Sequence, residues 1–85
     1  GEGTEVNKKN ITNLLIAANG NVMLKEEQIA VNLIAERARQ LLLENDLMIF
    51  SIKPDPATKY EVYIQVLDQL KRANATKISI AEPES

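Results

Sequence analysis

Few side chains in this sequence could do covalent or acid–base chemistry. The 85 residues contain neither cysteine nor histidine, so a thiolate nucleophile, an imidazole base and a zinc–sulfur site are excluded. The best-placed carboxylate is Asp55, in the loop Pro54-Asp55-Pro56-Ala57 between a predicted strand and a predicted helix, a position where α/β folds bind ligands. No second acid lies within four residues of it. We therefore expect no enzyme, no catalytic residue, no cofactor and no metal site.

Net charge and hydropathy further limit the functions that the chain could have. Ten Lys plus Arg against twelve Asp plus Glu leave a net charge of −2, which argues against nucleic acid as a partner. The longest apolar run, Leu14–Ala18, is too short to cross a bilayer. The pair Lys8-Lys9 could touch anionic lipid headgroups, but a solvated linker is the simpler interpretation. We expect a flexible linker over residues 1–10, one folded domain over 11–81 and an acidic tail over 82–85.

The elements of the first half follow from one turn and one helical pattern. Asn19-Gly20 separates two apolar stretches and predicts a β-hairpin with a type I′ turn, which needs positive φ at both central residues. Apolar residues then recur at three- and four-residue spacing and predict a helix from Glu26 to Leu43. Asn45 is the predicted left-handed stop of this helix.

The second half predicts a strand, a helix and a final strand. The run Leu47–Ile52 is rich in strand-forming residues. Thr58 and Glu61 have the spacing of a capping box and predict a helix that continues to about Ala73. Strict alternation over Lys77–Ile80 predicts a strand with one face on a core. The predicted buried face of the helix comprises Tyr60, Tyr63, Ile64, Val66, Leu67 and Leu70.

The element order is therefore β-β-α-β-α-β. Each helix has a single apolar stripe, so we expect an α+β two-layer sandwich with both helices packed on one face of a small mixed sheet of four strands. Such a sheet leaves one face bare and at least one edge open, and an open edge can pair with another chain.

Residues 47–82 resemble a known family. Their strand ending in Lys53-Pro54-Asp55, the segment Thr58-Lys59-Tyr60, the helix Val62–Ala73 and the strand Thr76–Ile80 resemble the C-terminal half of the ExbD/TolR family. The family pattern there is an acidic loop, Tyr, a V-x-D-x-L-K-x-A helix and a K-I-x-L strand. The first hairpin, Asn10–Ile16 with its Asn-Gly turn, is similar to that family's first hairpin.

Two departures from the family pattern concern local structure. The family usually has Ala-Gly after the helix, where this chain has Ala73-Asn74, and Asn tolerates the same left-handed conformation. The loop Pro54-Asp55-Pro56 stands where an Ala-Asp-Lys type sequence is common, so no ligand contact is carried over to it.

The resemblance implies a location and a set of partners. Family membership would imply a single-pass protein of the Gram-negative inner membrane, with this domain in the periplasm and membrane contact only through an N-terminal helix missing from this chain. Such proteins join a proton-channel subunit of the ExbB/TolQ type and pass proton-motive energy to TonB or TolA. The proton-carrying acid of the family lies in that helix, so no residue here inherits the role.

We therefore expect a non-catalytic ExbD-like periplasmic domain that dimerises and binds a partner peptide in TonB-dependent transport. The predicted partner-binding residues form the last strand, where Ser79→Pro should abolish binding. Three alternatives stay open: a TolR-like domain that binds peptidoglycan in the Tol-Pal system, a small-ligand regulatory domain, and a carboxylate enzyme, for which a paired acid is lacking. The partner-binding residues are Lys77, Ile78, Ser79 and Ile80.

Overall fold

The computed structural model describes residues 10–81. All but the last residue of the predicted linker, and the whole predicted acidic tail, lie outside that range. Within residues 10–81 there are two α-helices, and a 3₁₀ helix (Val31–Leu33) leads into the first of them. The elements in chain order are β1 (Ile11–Ile16), β2 (Val22–Leu24), β3 (Glu27–Ile29), α1 (Ile34–Glu44), β4 (Ile49–Pro54), α2 (Tyr60–Arg72) and β5 (Ile78–Ile80).

The strands form one mixed sheet in the order β3-β2-β1-β4-β5. β1 pairs antiparallel with β2, and β2 with β3, whereas β1 pairs parallel with β4, and β4 with β5. Both helices cover one face of this sheet, and α1 contacts α2. The predicted α+β two-layer architecture is therefore confirmed.

Period-two alternation along the strands builds the core. Every second residue of the central strands faces the helices and is buried. The apolar sides of α1 and α2 pack against these residues and cover them. The largest fully buried side chains are Phe50, Leu14, Ile16, Leu24, Ile34, Ile52, Leu70, Val22 and Val66.

In the described part of the chain the sheet has five strands, where four were predicted. The predicted helix over Glu26–Leu43 is wrong in its first part, because β3 occupies Glu27–Ile29 and α1 begins only at Ile34. Ile29 pairs with Val22 and so turns its side chain toward the same core. Pairing with β3 also satisfies backbone groups along β2 that a helix would have left open.

The type I′ turn lies at the second hairpin, not the first. Lys25 and Glu26, between β2 and β3, have φ of 52° and 69°, the positive values that such a turn needs at both central residues. In the first hairpin only Gly20 is left-handed, with φ of 91°. There the Gly20 N–H donates to the Ala17 carbonyl oxygen at 2.9 Å, so the loop is longer than the predicted two residues, although β1 and β2 pair as expected.

The start of α2 also differs from expectation. The Thr58 hydroxyl donates to the Ile16 carbonyl oxygen at 3.0 Å and makes no capping bond to the helix, whose N-cap residue is Lys59. The predicted capping box is therefore wrong: Thr58 ties the loop to the end of β1. Tyr60, predicted to be buried, is 75% exposed, because Cα–Cβ bonds lean toward a helix N-terminus and carry a first-residue side chain away from the core.

The two predicted left-handed stops have opposite outcomes. Asn74 follows α2 with φ of 63°, as expected of an Asn in a position usually taken by Gly. Asn45 is extended, with φ of −153°. Its side-chain oxygen accepts the Leu47 N–H at 3.0 Å, and its amide nitrogen donates to Asn10 at 2.6 Å. The Asn45 side chain thus fastens the α1–β4 connection to the start of β1.

A candidate partner-binding edge and an open sheet face

The four residues predicted to bind a partner lie at one outer edge of the sheet. β5 pairs with β4 on one side and has no strand beyond it within residues 10–81. Lys77 immediately precedes β5, and Ile78, Ser79 and Ile80 make up the strand. The structure therefore brings all four together along a single exposed backbone segment.

The backbone hydrogen bonds decide which of these residues face outward. The Phe50 N–H donates to the Lys77 carbonyl oxygen at 2.9 Å, and the Ala81 N–H donates to the Ile52 carbonyl oxygen at 2.9 Å. Because backbone polar groups alternate sides along a strand, those of Ser79 face β4 as well. The N–H and C=O groups of Ile78 and Ile80 consequently point away from the sheet.

This alternation changes how the edge must be tested. A proline at residue 79 would remove an amide that pairs with β4, so it would damage the domain itself. A proline at residue 80 would remove an outward amide and leave the pairing with β4 in place. Ile80→Pro is therefore the appropriate probe, and Ser79→Pro is not.

The side chains on the edge offer a modest apolar contact. Ile78 is half-buried and packs against the core, whereas Ile80 is 47% exposed. A strand that paired with all four outward backbone groups would gain about 1 kcal/mol net for each hydrogen bond, which corresponds to millimolar affinity without any side-chain contact. A tighter complex needs the exposed part of Ile80 to be covered as well.

The opposite edge, β3, was missed by the sequence analysis because a helix was predicted there. A two-residue turn makes Leu24 and Glu27 a hydrogen-bonded pair, so Gln28 alone directs both its backbone groups outward. The Glu27 carboxylate faces the helices, 3.9 Å from the Arg37 guanidinium. With half as many outward groups as β5, this edge is the poorer template for another strand. The sequence signal that could have predicted β3 is the alternation of apolar residues on both sides of Lys25-Glu26, namely Val22, Leu24 and Ile29.

The face of the sheet opposite the helices is open. It presents the other half of each strand's alternation: Ile11, Asn13 and Leu15 on β1, Met23 on β2, Gln28 on β3, Ile49, Ser51 and Lys53 on β4, and Ser79 on β5. We call these residues the open face. Leu15 is 40% exposed, and a shallow cleft of about 400 Å³ lies beside it, bordered by Lys25, Glu26 and Lys53.

The Asp55 loop serves the chain's own backbone. The Asp55 carboxylate accepts the Ala57 N–H at 2.9 Å, and the Asp55 N–H donates to the Ile16 carbonyl oxygen at 2.8 Å. Within residues 10–81 no three Asp, Glu, Cys or His side chains converge in the way that would hold a metal ion. Neither described helix has the length and apolarity needed to cross a membrane.

A sequence-family comparison identifies the family. The family model described as biopolymer transport protein ExbD/TolR matches residues 1–84. The chain belongs to the ExbD/TolR family. ExbD/TolR proteins are non-catalytic, membrane-anchored components that act with partner proteins in the energy transduction of biopolymer transport. A comparison with curated proteins gave no significant match.

Proposed function

We propose that this ExbD/TolR chain is the periplasmic domain, over residues 11–81, of an ExbD-like inner-membrane protein that couples proton-motive force to TonB-dependent transport. In this role the domain dimerises, acts beside a proton-channel subunit of the ExbB/TolQ type, and binds an extended segment of a TonB-type protein. The supporting observation is the outer edge of β5, where Ile78 and Ile80 direct their backbone groups away from β4.

The edge suits an extended peptide by its backbone and by its side chains. A strand added beside β5 would pair with the outward groups of Ile78 and Ile80 and would cover the exposed fraction of Ile80. The same groups could pair with β5 of a second copy, so self-association and peptide binding draw on one surface. Lys77, exposed at the start of the strand, would favour an acidic residue at the corresponding position of the peptide.

The experiment is an amide NMR titration of the isotope-labelled domain with the periplasmic region of a TonB-type protein. We expect shifts concentrated on residues 77–81 and on their β4 neighbours. Binding to purified sacculi in the absence of any shift at millimolar peptide would contradict the proposal and favour the TolR-like alternative.

Two variants at one position isolate the backbone contribution. Ile80→Ala removes the exposed side chain but keeps the amide, whereas Ile80→Pro removes the outward N–H as well and leaves the Ala81–Ile52 hydrogen bond in place. We expect Ile80→Pro to bind the peptide about fivefold more weakly than Ile80→Ala, because one hydrogen bond of about 1 kcal/mol is lost, with equal helical content by circular dichroism. Equal affinities of the two variants would rule out strand addition at β5.

A further inference from the structure

Three lysines lie on or beside the open face, away from most of the acids. Lys53 projects from this face, because its neighbour Ile52 is fully buried on the other side. Lys77 directly precedes Ile78, whose side chain packs against the core, so alternation along the chain directs Lys77 toward the opposite side of the sheet. Lys25 borders the cleft at Leu15. Glu26 is the acid that accompanies them. The other acids between residues 10 and 81 lie on the helices, in loops or on the helix side of β3: Glu27, Glu36, Glu44, Asp46, Asp55, Glu61 and Asp68.

These lysines have no carboxylate partner in the described part of the chain. The ion pairs found there join Arg37 to Glu27 and Arg72 to Asp68. The open face and its margins together therefore have a net positive charge, although basic and acidic residues are equal in number over residues 10–81. This excess is available to an anionic partner.

Apolar side chains lie between the lysines. Leu15 pairs with Met23 on one neighbouring strand, and Ile11 pairs with Ile49 on the other. Leu15 is 40% exposed. The open face thus combines a central apolar area with lysines at its margins, which is the composition of surfaces that lie at a membrane–water interface.

We propose that the open face docks on an anionic lipid surface. The lysines extend from the β2–β3 turn to β5, about 14 Å at about 4.8 Å per strand, and this two-dimensional spread fits a plane of headgroups better than one peptide strand. A second copy packed face to face would place lysine against lysine. The family is also membrane-anchored.

The open face and the proposed peptide site meet at Lys77 and Ser79, but they point in different directions. The outward hydrogen-bonding groups of β5 lie in the plane of the sheet, whereas the open face is perpendicular to them. A domain resting on a bilayer would therefore keep the Ile78 and Ile80 backbone groups accessible. Loss of lipid docking and loss of peptide binding can accordingly be measured separately.

The test is paramagnetic broadening of methyl signals in the presence of lipid nanodiscs. The discs contain phosphatidylcholine with about 30% phosphatidylglycerol and a spin-labelled lipid, and the control discs contain phosphatidylcholine with the same label. We expect broadening of Leu15, Met23 and Ile49 in the anionic discs, with Leu43 and Ile64 on the helix layer little affected. The broadening should decrease between 0.05 and 0.3 M salt, because the Debye length shortens.

Matched charge variants complete the test. Lys53→Gln should weaken docking about fivefold, from about 1 kcal/mol per lysine near an anionic surface. Lys71→Gln, an exposed position on α2, should change docking less than twofold. The proposal is overturned by equal broadening in both kinds of disc, by broadening of the helix layer, by no broadening at low salt, or by equal effects of the two variants. Open-face shifts with a soluble acidic peptide and none with discs would likewise overturn it, in favour of a protein partner.

Discussion

Replacement of Glu26 by glycine should stabilise the domain, and the sign of the change tests where the first helix begins. Glu26 has φ of 69°, a left-handed conformation that costs an L-residue about 1–2 kcal/mol. Glycine adopts it without that cost but adds about 0.5–1 kcal/mol of unfolded-state entropy. The net expectation is about 0.5–1 kcal/mol of added stability. If Glu26 were instead in a helical turn, glycine would cost about 0.5–1 kcal/mol.

Urea unfolding followed by circular dichroism measures the change, with the free energy of unfolding taken at matched m-values. For a domain of this size the gain corresponds to a rise in melting temperature of roughly 2–8 °C. Glu26 takes part in neither ion pair of the described residues, so the change disturbs no charge contact there.

Ala30→Gly is the matched control. Ala30 is exposed, with φ of −70°, a conformation that alanine adopts freely, so glycine there should cost about 0.4–1 kcal/mol through the unfolded state. The two substitutions therefore have opposite expected signs four residues apart. Destabilisation by Glu26→Gly to the same extent as by Ala30→Gly would refute the β2–β3 turn and favour the helix that the sequence pattern predicts.

Two further predictions concern single hydrogen bonds in the core and between the helices. The fully buried Thr12 hydroxyl donates to the Met48 sulfur at 3.0 Å. Met48→Leu leaves that hydroxyl unpaired and should lower the free energy of unfolding in urea by about 1–3 kcal/mol. Adding Thr12→Val to Met48→Leu should recover most of this loss, whereas no recovery would show that packing is the cause. The Gln69 side-chain oxygen accepts the Ala35 N–H at 2.9 Å. Gln69→Ala should lower the free energy of unfolding by about 1 kcal/mol and speed hydrogen exchange at the Ala35 amide. An equal effect of Gln65→Ala, at an exposed position of the same helix, would contradict this assignment.

The elements with strong local signals were predictable from the sequence. The alternation over Lys77–Ile80 and the apolar stripe of residues 62–73 indicate the core-facing sides of β5 and α2 from side-chain periodicity, although Ile64, predicted to be buried, is 39% exposed. Asn74 ends α2 in the left-handed conformation that its side chain tolerates. In each case the relevant interaction lies within a few residues of the chain, and the residue types report it directly.

β3 could not be predicted in this way, because its stabilisation is not local. Gln28 and Ile29 fit a helical spacing with the residues that follow, and Lys25-Glu26 is an unfavourable composition for a type I′ turn. The strand forms because β2 presents unpaired backbone groups and because Ile29 gains a place on the core beside Val22. Neither of these two stabilising interactions can be predicted before the position of β2 in the sheet is known.

Local and non-local interactions also differ in what they say about the predicted binding residues. The sequence by itself determined the family resemblance, the two-layer class and the position of the last strand, because these depend on residue type and spacing. Only the tertiary structure decided that β5 is an outer strand, that Ile78 and Ile80 direct their backbone groups outward, and that Lys25 and Lys53 border one cleft. Strand order and hydrogen-bond direction arise from pairing between segments distant in sequence, and no local pattern encodes that pairing.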